Sequence, residues 1–122
     1  MPAINFQPRF AELVESGRKT QTIRKSNRFK VGDTVQLYTG QRTKQCRKLG
    51  EGVVTGVHWF YLRYDHERRP YFLIASLPLT FSHMDEFAER DGFISAQDMI
   101  DWFEKQHGLP FKGWLITWRL NR

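Results

Sequence analysis

Hydrophobic and polar positions alternate along several stretches of this chain and recur at helical spacing along others. Between Thr34 and Thr39, Val35 and Leu37 alternate with Thr34, Gln36 and Tyr38, the period of a half-buried strand entered through the tight turn Val31-Gly32-Asp33. From Gly113 to Leu120 the same period sets Trp114, Ile116, Trp118 and Leu120 against Leu115, Thr117 and Arg119. Glu51 to Tyr64 is rich in Val, Thr, Trp, Phe and Tyr. Asp65 to Pro70 then supplies turn residues before a second apolar run, Tyr71 to Leu77, so a β-hairpin is predicted. Helical spacing governs Pro8 to Ser16, where Phe10, Leu13 and Val14 fall on one side and Gly17 suits the left-handed residue that ends a helix. Ser82 with Asp85 reads as a capping box opening a helix to Asp91, closed by Gly92. Ser95 with Asp98 opens another, with Met99, Trp102 and Phe103 on one face and Gly108 as its stop. Strands first, then two helices and a closing strand, predict an α+β fold with a small mixed β-barrel.

Composition narrows the class. At 122 residues with 15% aromatics, the chain is expected to form a single domain, 1–122, with a core of its own. Cys46 has no partner for an internal disulfide, and the four histidines show no metal-ligand spacing, so neither metal nor cofactor is expected. The longest apolar stretch, Tyr71 to Leu79, is broken by Ser76 and Pro78, and no basic region followed by an apolar run opens the chain. A cytoplasmic monomer with no membrane association is the expectation.

The net charge of +6 is unevenly placed. Arg18, Lys19, Arg24, Lys25, Arg28, Lys30, Arg42, Lys44, Arg47 and Lys48 share a stretch with one acid, Asp33, whereas Asp85 to Glu104 holds seven acids against Arg90. That asymmetry favours an anionic partner, most simply a nucleic acid, over a merely solvated face. Gly40 to Gly50, carrying Arg42, Lys44, Arg47 and Lys48, reads as a mobile basic loop able to close over a nucleotide. Trp59, Tyr61 and Tyr64 are candidates for stacking on a base, with burial in the core as the competing assignment. His58 and His66 carry no evident role.

The densest chemistry lies in Gly17 to Arg24, Gly-Arg-Lys-Thr-Gln-Thr-Ile-Arg, at a junction of helix and strand. With Gln21 to Arg24 extended, Thr22 and Arg24 point one way and Gln21 and Ile23 the other, while Lys19 reaches back from the turn. A hydroxyl, an amine and a guanidinium then converge, which suits either a phosphate site or an activated nucleophile. Asp91, in the corner Asp91-Gly92-Phe93, is an acid at a helix C-terminus, where the helix dipole does not favour it. It is expected to lie near the surface.

Gly17, Lys19, Thr22 and Arg24 form the pattern GxKxxTxR, which resembles the signature of the ASCH family, small domains related to the PUA domains of RNA-modifying proteins. Phe29 to Leu37, Phe87 to Phe103 and Gly113 to Trp118 are similar to that family's later elements. The resemblance implies a PUA-like barrel. It also implies the activity of small bacterial amidohydrolases that remove the acetyl group of N4-acetylcytidine with a Lys and a Thr of the motif and a Glu at the start of the second helical region. By position, Lys19 and Thr22 match, and Asp91 stands in place of the Glu with an arm one methylene shorter.

Two classes of function follow. In a hydrolase of a modified pyrimidine nucleoside or of RNA, Lys19, Thr22 and Asp91 are catalytic, and Arg18, Arg24, Arg42, Lys44, Arg47 and Lys48 bind the substrate. In a noncatalytic RNA-binding module, Lys19 and Arg24 grip phosphate and Thr22 bonds a base or sugar.

Overall fold

A computed structural model of the chain describes residues 2–121. Its seven strands are β1 (Ala3–Phe6), β2 (Gln21–Arg24), β3 (Thr34–Thr39), β4 (Arg47–Tyr64), β5 (Pro70–Ile74), β6 (Leu77–Pro78) and β7 (Phe111–Leu120). Helix α1 (Pro8–Ser16) follows β1, while α2 (Phe81–Arg90) and α3 (Ala96–His107) separate β6 from β7. The α+β class is as expected.

All seven strands belong to one mixed sheet. β1 runs parallel to β3, and every other pairing is antiparallel. The long β4 is its spine: its first half pairs with β3, its last rungs with β5, and most of its length with β7, which carries β2 on its other edge. Register breaks between Leu37 and Tyr38 and between Val54 and Gly56 are β-bulges, which strengthen local twist and bend the sheet.

The barrel is not closed by backbone hydrogen bonds, since no ladder joins β1 to β2. Arginine side chains span that seam instead. Arg24 Nη2 donates to the Asn5 carbonyl at 2.9 Å, and Arg28 Nη2, just beyond β2, donates to the Ala3 carbonyl at 2.8 Å. The two edges thus come within a side chain's reach of each other, and edge carbonyls that would lack partners are satisfied.

Three expectations are corrected. The Gly40–Gly50 stretch is no long loop: β4 begins at Arg47, and the connection is a hydrogen-bonded turn. In it Thr43 Oγ1 donates to Gly40 O at 2.6 Å, and Gln41 N–H donates to Asn5 Oδ1 at 2.9 Å. Ser82 does not cap α2, whose N-cap is Thr80; the Asp85 carboxylate is drawn away to accept from Ala96 N–H at the head of α3. The run Tyr71–Leu77 is split by a two-residue turn, Ala75-Ser76, both at positive φ as a tight hairpin requires. By contrast Ser95 caps α3 as expected, accepting from Asp98 N–H at 3.1 Å.

α2 and α3 cover one side of the sheet through an aromatic core. Phe60 and Phe72 of the sheet meet Phe87 of α2, and Phe111 meets Phe103 of α3. This packing carries the α2–α3 corner, and with it Asp91, to the end of α1.

Candidate active site

Lys19 owes its position to the way α1 stops. Gly17, at φ +84°, takes the left-handed conformation and its N–H donates to Val14 O; Lys19 N–H then donates to Leu13 O at 2.9 Å. The chain folds back over the helix end, and β2 starts two residues later. The lysine side chain is thereby driven inward, only 2% of the residue remaining exposed.

Asp91 meets it there. The residue caps α2, its N–H shared between the Phe87 and Ala88 carbonyls, and is itself 3% exposed. This overturns the expectation of a surface position: the acid at the helix end is packed under α1. Lys19 Nζ lies 3.5 Å from Asp91 Oδ2 and also donates to the Asp91 backbone carbonyl, while Gln21 Nε2 donates to Asp91 Oδ1 at 3.2 Å. Gly92 makes the approach possible. It sits at φ +96°, and a Cβ there would stand 2.9 Å from Phe10 Cδ1 and 3.1 Å from Lys19 Cδ. Gly92→Ala is therefore expected to cost roughly 1–3 kcal/mol of stability through backbone strain and collision. An unchanged urea midpoint would show that the corner is not tight.

Burial sets the electrostatics. It pushes the Lys19 amine down from its usual value to about 8, against the opposing pull of the Asp91 carboxylate, with the Arg24 charge adding to the lowering. The same burial pushes Asp91 up, against Lys19 and the Gln21 hydrogen bond. Both groups are thus biased toward their neutral forms, as desolvation demands. The ring of Phe10, 4.9 Å from Nζ, faces the ammonium form.

Thr22 and Arg24 sit two residues apart on β2. Arg24 Nε donates to Thr22 Oγ1 at 3.2 Å, leaving the hydroxyl proton free to be given away. Burial lowers the Arg24 pKa, with Asp91 opposing, but a guanidinium remains a cation at neutral pH.

Lys19, Thr22, Arg24 and Asp91 all line one cavity of about 320 Å³, whose lining includes residues of both β1 and β2, the edges that no ladder joins. Aromatic rings make up most of its other lining: Phe6, Phe10, Phe93, Trp102, Phe103 and Phe111. The volume falls at the small end of ligand sites, and apolar walls around a few converging polar groups are what such sites share. Among the described residues no group of three or more His, Cys, Asp or Glu is placed to hold a metal ion, and no helix is long and apolar enough to cross a membrane.

The other cations expected at the site lie elsewhere. Arg18 is exposed and its Nε bonds Ser16 Oγ at 3.4 Å. Arg47 pairs with Glu15 at 2.7 Å and Lys48 with Glu51 at 2.6 Å, so acids nearby in space offset half of that basic run. Arg42 and Lys44 are exposed on the 40–46 turn, whose Gln41 N–H bonds the cavity residue Asn5. Conversely, Asn5, Lys25 and His107 line the cavity without having been singled out by sequence. Burial, with the charges of Lys25 and Arg24, pulls His107 below its ordinary value.

Fold and cavity together define an α+β domain with an open-seamed barrel and a buried amine–carboxylate pair at the seam. A crystal structure of a ZmASCH mutant protein from Zymomonas mobilis has this fold: at 18% identity it aligns with a TM-score of 0.54, covering 96% of this chain and 66% of that one. The chain thus has the fold of an ASCH protein and spans just under two thirds of that protein's length. No protein-family model matches the chain, and a comparison with curated proteins found no match.

Proposed function

We propose that this is an ASCH-type amidohydrolase whose cavity removes the acyl group from an N4-acylated cytosine nucleoside. The ASCH fold and the GxKxxTxR spacing support the family reading. The observation that carries the chemistry is that a buried amine, lowered to about 8, shares an aromatic-walled cavity with a hydroxyl already held by a guanidinium. Flat aromatic walls suit a pyrimidine ring, and the polar end suits its exocyclic amide.

The neutral Lys19 amine takes the Thr22 proton as Thr22 Oγ bonds to the acyl carbon. Arg24, beside Thr22, offsets the negative charge that develops on the acyl oxygen. Collapse breaks the bond to N4, and the Lys19 ammonium returns its proton to that nitrogen, releasing cytidine. Water, deprotonated by Lys19 in turn, then attacks the ester on Thr22, freeing the carboxylic acid and restoring the hydroxyl. Asp91 and Gln21 act by holding the amine in place.

A pH dependence follows directly. The base must be unprotonated, and with a pKa of about 8 only about a tenth of Lys19 is free amine at pH 7. The hydrolysis rate is expected to rise about tenfold per pH unit below 8 and to level off above it. Cytidine release from N4-acetylcytidine, followed between about pH 6 and 9, tests this. A rate independent of pH over that span removes Lys19 as the base.

A further inference from the structure

The sheet carries a second feature on the rung next to the cavity. Arg24 of β2 stands opposite Trp114 of β7, which stands opposite Trp59 of β4. Residues directly opposite in antiparallel ladders project to the same face, so the face that presents Arg24 to the cavity continues as a pair of tryptophans. Their rings stack with centroids 4.0 Å apart and planes 27° from parallel, and Trp59 is 58% exposed.

Cations alternate with aromatics further along. On the next same-face rung Tyr61 opposes Lys112, whose amine lies 5.9 Å from the tyrosine ring, and beyond it Arg63 opposes Tyr71 with its guanidinium 4.4 Å from that ring. A hollow of about 350 Å³ is lined by Trp59, Phe60, Tyr61, Leu73, Ser76 and Lys112. None of the residues named on this face is acidic, in a chain whose net charge is +6. A stacked indole pair with Trp59 exposed and Trp114 half-buried, followed along the same face by Lys112 and Arg63, matches the two requirements of single-strand recognition: flat surfaces for bases and positive charge for the backbone.

We propose that the Trp59–Trp114 face binds single-stranded RNA flanking the nucleotide held in the cavity. The two tryptophans lie one and two strands from Arg24, and strands are about 4.8 Å apart, so neighbouring bases of one strand reach both places. The choice of RNA rests on the reading of the cavity as a cytidine site, whereas the stacking geometry does not.

The test is fluorescence anisotropy with a labelled single-stranded oligoribonucleotide and its deoxyribose counterpart, run beside hydrolysis of free N4-acetylcytidine. Trp59→Ala is expected to weaken RNA binding about 5- to 100-fold and to leave hydrolysis of the free nucleoside unchanged. Trp59→Phe, which keeps a ring, should recover most of the affinity. Lys112→Ala should weaken binding and flatten its salt dependence. RNA affinity unaltered by Trp59→Ala overturns the proposal, and so does DNA bound as tightly as RNA. Self-association abolished by Trp59→Ala, with no RNA affinity, makes the face a protein interface and overturns it as well. Trp59-dependent RNA binding by a protein that hydrolyses no acylated cytidine upholds this face while removing the amidohydrolase reading. Hydrolysis without RNA binding does the reverse.

Discussion

Lys19→Ala is expected to lower hydrolysis of N4-acetylcytidine roughly 10²- to 10⁴-fold, the span that general-base assistance commonly covers. Thr22→Ala should fall by a similar factor, and the double variant should be little worse than either, because nucleophile and base act as one unit. Removing the lysine also strands a buried carboxylate 3.5 Å from where the amine was. Such a loss costs about 3–5 kcal/mol when the remaining group stays charged, and less here because burial already pushes Asp91 toward its neutral acid. Rates must therefore be normalised to folded protein. Lys19→Ala retaining more than about a tenth of the wild-type rate would exclude the amine as the base.

Asp91→Asn separates the carboxylate's charge from its shape. The amide fills the same space but no longer holds the amine in its charged form, and that charge is the largest influence raising the Lys19 pKa. The acidic limb of the pH–rate profile is expected to move down by roughly a unit or more from its wild-type position, with a lower plateau because the amine is less well placed. A merely structural role for Asp91 would lower stability and leave the limb near 8. The profile distinguishes the two roles even when the variant loses rate.

Much of the polar end of the cavity was legible because it is local. Gly17 stops a short helix, Lys19 follows two residues later, and the alternation of Gln21 to Arg24 places Thr22 beside Arg24, as their hydrogen bond now shows. The same alternation sends Gln21 the other way, and from there it reaches Asp91, a contact between residues 70 positions apart that no local pattern contains. The aromatic walls come from β1, α1, the α2–α3 corner, α3 and β7, so the cavity exists only once those elements are packed. β1 escaped notice because four residues are too few to show a period, and its parallel partner, β3, lies some thirty residues on. Counting charges over Arg18 to Lys48 leaves out the partners of Arg47 and Lys48: Glu15 sits in α1, far away in sequence and adjacent in space, and Glu51 falls just past the end of that stretch.

The most direct test of amide hydrolysis at Thr22 is rapid acid quenching of the wild-type protein with N4-acetylcytidine, measuring cytidine and acetate separately. With Thr22 as nucleophile, cytidine should appear ahead of acetate, and peptide mapping of the quenched protein should find the missing acetyl group as an ester on Thr22. No release of cytidine by the wild type, or release by Thr22→Ala at the wild-type rate, would contradict the assignment.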